Sequence, residues 1–109
     1  MHEMGITQDV IAAIRDRLPD ADVVRVRLEI GKLAGVMADS VRFCFDAASA
    51  GTPLQGATLE IDEPAGRARC RECGVARELP DLILLCSCGS ADLEILTGTE
   101  LLIKEVEVA

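Results

Sequence analysis

Four thiols lie within 19 residues: Cys70 and Cys73, separated by Arg71-Glu72, and Cys86 and Cys88, separated by Ser87. A tetrahedral metal needs four ligands converging on one point, at about 2.3 Å when they are thiolates. Two short loops, each giving two sulfurs, meet that need. The twelve residues between the pairs are enough for a hairpin that brings the loops together. Gly74 and Gly89 follow the two pairs and let the backbone turn tightly, so that amide N–H groups point at the sulfurs. An all-thiolate set indicates zinc or iron–sulfur chemistry. Zinc is the first choice, and an iron site fits the same ligands. Four protein thiolates leave no open coordination position, so the ion is structural rather than catalytic. The module of residues 66–93 is expected to have too small an apolar core to fold without the ion, so metal-binding free energy becomes folding free energy there. The second pair, Cys-x-Cys, shortens its loop by one residue, and all four thiolates must still converge. A redox protein using Cys70 and Cys73 is a competing reading of the same thiols.

The sole histidine is His2. A lone histidine near a terminus is ordinarily a solvated side chain, but position two gives it further chemistry. The Met1 α-amine, the His2 backbone nitrogen and the His2 imidazole close adjacent small chelate rings, and the Glu3 backbone nitrogen completes four in-plane nitrogens if the amides deprotonate. Square-planar nitrogen coordination suits Ni(II) or Cu(II). The site needs a free amine on a retained Met1, and the bulk of His2 disfavours removal of that methionine. Protons compete for the same ligands, so nickel affinity is expected to fall in mild acid.

These groups must be positioned by the rest of the chain. Residues 4–18 read as a helix, with Ile6, Val10, Ile14 and Leu18 recurring every four residues and Ile11 beside them; it would hold the terminus in place from about Met4. Residues 22–31 alternate, with Val24, Val26, Leu28 and Ile30 on one face and Arg25, Arg27 and Glu29 on the other, a half-buried strand. A loop from Gly31 leads to a second helix, capped by Asp39 or Ser40 and running to about Ala50, with Val41, Cys44, Phe45 and Ala48 on one stripe. Cys44 on that stripe reads as a buried structural thiol. Residues 57–63 form a second alternating strand through Leu59 and Ile61. From Arg67 to about Asp92 the pattern dissolves into short cysteine- and glycine-containing units. Strand-like texture resumes at LEIL and ELLIKEVEV, with a turn near Gly98, and the last strand is expected to pair with the first part of the chain. The fold class is therefore α+β: a small sheet packed with two helices, carrying an inserted zinc-ribbon-like module. The expected division is residues 1–65 plus 94–109 as the α+β domain and 66–93 as the zinc-binding module.

Composition narrows the function. The net charge of −8 weighs against nucleic-acid binding, which relies on Lys and Arg neutralising phosphates. Two Phe, with no Trp or Tyr, leave little for bases to stack on. No apolar run approaches the roughly 20 residues of a membrane span, and MHEMGITQDV lacks the pattern of a signal peptide. The expectation is a soluble cytoplasmic protein. Arg67, Arg69, Arg71 and Arg77 crowd the cysteines, where they offset the negative charge of a zinc tetrathiolate or mark a partner surface. Glu100, Glu105 and Glu107 read as an exposed strand face, not a second metal site. No nucleophile–base pair and no Gly-rich phosphate loop with its Lys is present, so an enzyme is not expected.

Met1-His2-Glu3, the following helix, the LEIG strand end, the RFCFD helix segment, the four-cysteine module ending in CGS and the acidic β-tail together resemble the HypA family of hydrogenase maturation factors, which are nickel metallochaperones. The resemblance covers essentially the whole chain. It implies nickel as cargo, bound by Met1, His2 and Glu3, and a structural zinc on Cys70, Cys73, Cys86 and Cys88. It implies delivery to the large subunit of [NiFe] hydrogenase, a HypB-type GTPase as partner, service to urease in some organisms, and a monomer or weak homodimer. Two departures stand out. The family's second pair is usually Cys-x-x-Cys. Some relatives also carry an acidic residue in the loop after the first strand, whereas this chain has no acid there before Asp39, so that ligand is not transferred. The competing functional reading is a zinc-ribbon adaptor for protein or nucleic acid.

Overall fold

A computed structural model describes residues 2–109. The elements are α1 (His2–Arg17), β1 (Val23–Ile30), α2 (Ala38–Ser49), β2 (Thr58–Asp62), β3 (Gly66–Cys70), β4 (Ala76–Leu79), β5 (Leu93–Thr97) and β6 (Leu101–Val108). The strands form two sheets of three, ordered β2-β1-β6 and β4-β3-β5. This is the α+β class with two helices. Among the described residues no helix is long and apolar enough to cross a membrane.

The chain divides into two compact units. One comprises the chain up to Leu28, Val36–Ile61 and Leu102–Ala109. In it, α1 buries Thr7, Val10, Ile11 and Ile14 along one face, and α2 buries Val41, Cys44 and Phe45. The helices pack on each other. On β1, Val26 and Leu28 are fully buried, as alternation requires. Val24 instead is 41 % exposed, while Val23 is buried where its N–H meets the Pro53 carbonyl at 3.0 Å. The opposite face of β1 carries Arg25 and Arg27. Arg25 pairs with Glu60 of β2 and with Glu105 and Glu107 of β6, and Arg27 pairs with Glu105. These are cross-strand charge pairs on a solvated face.

Three local details differ from the periodicity argument. Helix α1 begins at His2 rather than Met4, so His2 and Glu3 belong to its first turn. Helix α2 begins at Ala38 behind Met37, with no side-chain cap; Asp39 lies inside the first turn and pairs with Arg42 at 3.1 Å. An acid there still complements the helix dipole. Glu100 precedes β6 and is not on its face: its carboxylate accepts the Gly98 N–H at 2.9 Å.

The second unit comprises Glu29–Gly35 and Asp62–Leu101. It is wider than residues 66–93 because its sheet needs β5 through Thr97 and its core needs Leu33. In this sheet β3 is central and antiparallel to both neighbours. Its core is small: Leu33, Ala68 and Leu79, with Leu93 packed against them. Three glycines let backbones meet beside it. A Cβ on Gly31 would lie 2.0 Å from the Gly98 carbonyl oxygen, and one on Gly98 would lie 2.4 Å from the Gly66 Cα. The Leu33 N–H donates to Gly98 O at 2.8 Å across this junction.

Candidate metal centre

The hairpin that builds the site is formed by β3 and β4 around the first cysteine pair, not by the twelve residues between the pairs. Cys70 ends β3, and the chain turns through Cys73 and Gly74 into β4. Two backbone hydrogen bonds close this turn: Cys70 N–H to Val75 O at 3.0 Å and Gly74 N–H to Cys70 O at 2.9 Å. The second loop repeats them with one residue fewer: Cys86 N–H to Ser90 O at 2.8 Å and Gly89 N–H to Cys86 O at 2.9 Å. Gly74 and Gly89 both take positive φ, 77° and 93°, which a side chain would strain. The Cys-x-Cys pair therefore forms a tighter version of the same turn.

The four sulfurs converge. Cys70 Sγ lies 3.7 Å from Cys88 Sγ, Cys73 Sγ lies 3.6 Å from Cys86 Sγ, and all four lie within 4.8 Å of one another. A tetrahedron with metal–sulfur bonds of about 2.3 Å has edges of about 3.8 Å. A disulfide would bring two sulfurs to about 2.05 Å, and all five cysteines are free thiols. The donor set thus fits one thiophilic ion. Cys70 and Cys86 are buried, while Cys73 and Cys88 are exposed. The Cys73 N–H, the largest influence on Cys70, lowers that thiol to about 6. The Cys88 N–H does the same in direction for Cys86. The second thiol of each pair moves the other way. The Val75 N–H pulls Cys73 down, but neighbouring Cys86 and burial raise it on balance. The Ser90 N–H pulls Cys88 down, and Cys86 and Cys70 outweigh it, pushing Cys88 up to about 12. Crowded like charges resist full ionisation, so a divalent cation is the natural complement of this cluster.

The four nearby arginines separate into two groups. Arg67 stands opposite Glu78 and Arg69 opposite Glu94 in the strand register. Arg71 pairs with Asp92 at 2.9 Å, tying the first loop to the residues after the second. Arg77 differs: it stands opposite the fully buried Ala68, and its Nη2 donates to Ser87 Oγ at 2.7 Å. Leu82, Ile83, Leu84 and Leu85, just before Cys86, are exposed and add nothing to the core.

At the other candidate site, His2 Nε2 lies 2.8 Å from a Glu3 carboxylate oxygen. The His2 side chain is exposed, and Glu3 is largely covered. Met1, the third residue read from the sequence as a nickel ligand, lies outside the described residues. Cys44 is fully buried in α2, apart from the cluster.

Fold and site define a class: a small α+β protein whose second, three-stranded unit presents a cluster of four thiols arranged as a metal site would need. The family follows from comparison with known proteins. The profile of the family described as "Hydrogenase/urease nickel incorporation, metallochaperone, hypA" matches residues 1–108. The hydrogenase maturation factor HypA of Nostoc punctiforme is 51 % identical over 108 residues, covering 99 % of this chain and 96 % of that one. The HypA of Geobacter sulfurreducens is 39 % identical over 109 residues, covering 99 % of each. The solution structure of the Ni metallochaperone HypA from Helicobacter pylori superposes with a TM-score of 0.67 at 20 % identity, covering 97 % of this chain and 96 % of that one; it shares the fold. The chain belongs to the HypA family, whose members are nickel-incorporation metallochaperones and maturation factors.

Proposed function

We propose that this protein binds nickel at its amino terminus and delivers it for insertion into the large subunit of [NiFe] hydrogenase, with Cys70, Cys73, Cys86 and Cys88 holding a structural zinc ion. The family match over residues 1–108, beginning at Met1-His2-Glu3, carries the reading. Met1 supplies its α-amine, His2 its backbone nitrogen and imidazole, and Glu3 its backbone nitrogen. Local geometry supports this chemistry. The N–H groups of His2 and Glu3 lie in the first turn of α1, where no intrahelical acceptor exists, so their deprotonation costs no helical hydrogen bond. With Nε2 engaged by Glu3, the remaining ring nitrogen, Nδ1, is the one that closes a six-membered chelate with the His2 backbone nitrogen. Such a terminus is open to remodelling by a recipient, as cargo transfer requires. A HypB-type GTPase, and urease maturation proteins in some organisms, are the proposed partners, and the cytoplasm the proposed compartment.

Counting both metals in one sample tests the assignment. After nickel loading, wild type should carry one zinc and one nickel, and His2→Ala should keep its zinc and lose specific nickel. Normal nickel uptake by His2→Ala would refute the terminal site.

A further inference from the structure

The inner face of the sheet β4-β3-β5 carries one arginine. Residues directly opposite in an antiparallel pair lie on the same face. Along β3, Gly66, Ala68 and Cys70 are buried and alternate with exposed Arg67 and Arg69. Leu79 stands opposite Gly66, and Arg77 stands opposite Ala68. Arg77 therefore shares the buried face with Ala68, Leu79 and the metal ligand Cys70. Its guanidinium reaches the loop between two other ligands, Nη2 to Ser87 Oγ at 2.7 Å, while its Nε–H is buried without a hydrogen-bond partner. Among the described residues Arg77 makes no ion pair, whereas Arg71 pairs with Asp92. The buried, unpartnered Nε–H carries a desolvation cost that a nearby negative charge would offset. A divalent ion held by four thiolates carries two excess negative charges, and in this unit that is the counter-charge on the same face.

We propose that Arg77 is the positioning residue of the metal centre: its half-buried guanidinium, anchored on Ser87, neutralises the tetrathiolate and clamps the shortened Cys86-Ser87-Cys88 loop onto the ion. The proposal rests on the four-cysteine metal reading. It also accounts for the tolerance of one missing residue in the second pair. The shorter turn has the tie from β4 through Ser87, and its ligands share the charge that Arg77 balances.

The test uses the full chain, zinc-loaded in reducing buffer, against a chromophoric chelator, with wild type, Arg77→Met, Arg77→Lys and Arg67→Met compared. Loss of a residue supporting metal ligands typically lowers affinity about 10–100-fold. Arg77→Met should fall in that range, Arg77→Lys should recover most of the loss, and Arg67→Met, on the outer face of β3, should match wild type. In the cobalt-substituted protein the thiolate-to-metal charge-transfer band of Arg77→Met should move to longer wavelength, because removing a nearby cation raises the energy of the sulfur electrons. A merely structural arginine would not produce that shift. Wild-type affinity with an unmoved band in Arg77→Met would overturn the proposal, as would Arg77→Lys losing as much as Arg77→Met, including the case in which neither takes up metal. A wild-type chain that binds no metal would overturn the centre itself, a result distinct from all of these.

Discussion

Glu100 shows how a single side chain can be tied to the glycine junction of the second unit. Its carboxylate accepts the Gly98 N–H at 2.9 Å, and its own main-chain N–H, the larger influence, together with that of Gly98 holds its carboxyl below the usual range. A carboxyl whose pKa is depressed by folding stabilises the native state above its unfolded pKa, and that contribution is lost as pH falls through the folded value. Glu100→Gln should therefore melt lower than wild type at pH 7. The gap should close as pH drops below the ordinary glutamate pKa of about 4.3, and paired thermal melts across that range would check it. A gap that persists in acid would mean the carboxylate charge is not what matters. This role was hidden in the sequence, where Glu100 looks like one more acid of an alternating tail. The four thiols were visible because metal ligation is a matter of residue type and spacing. The placement of Arg77 opposite Ala68 was not, because the face of a residue on a four-residue strand is defined only once the strand and its partner are known.

At the scale of elements, legibility followed the apolar pattern, so that even the largely exposed β2, β5 and β6 were readable. Helix α1, helix α2 and strand β1 announced themselves because each buries a continuous apolar stripe: Val10, Ile11 and Ile14; Val41, Cys44 and Phe45; Val26 and Leu28. Strands β3 and β4 carry no such stripe. Their inner positions are Gly66, Ala68, Cys70, Arg77 and Leu79, so the period-2 signal is filled by small, thiol-bearing or charged residues. The glycines among them carry the reason. Gly98 sits at φ +107° with the Gly66 backbone where its Cβ would be. Gly98→Ala adds strain in a region open essentially to glycine, ~1–3 kcal/mol, and a clash against main chain that no rotamer relieves. The expected result is a clear loss of stability in denaturant titration of the zinc-loaded protein. Gly5→Ala in α1, where a Cβ meets nothing within 4 Å, should instead be neutral or slightly stabilising. Equal behaviour of the two variants would show that the close glycine junction is not what holds these strand ends together.

At the scale of the whole molecule, the two units rest on different sources of stability. The first buries Val10, Ile11, Ile14, Val26, Leu28, Val41, Phe45 and Leu54, an apolar core sufficient for an α+β fold. The second has Leu33, Ala68 and Leu79, with Leu93 at their margin, and leaves Leu82, Ile83, Leu84 and Leu85 exposed to solvent. A core that small cannot offset the chain entropy of the residues it orders, so the proposed zinc supplies the difference and metal-binding free energy is folding free energy there. Removing the ion should therefore melt one unit and spare the other. Hydrogen exchange under reducing conditions, before and after a strong chelator, reads this directly. Amides of β3, β4 and β5 should lose their protection on chelation, while those of α1 around Val10 and Ile14 and of α2 around Val41 and Phe45 should keep theirs. The outcome bears on cargo as well. If the first unit survives, nickel uptake at His2 should persist in zinc-stripped protein, which would separate the two metals energetically. Protection lost everywhere at once would instead make the chain a single cooperative unit, with zinc as a condition for nickel binding.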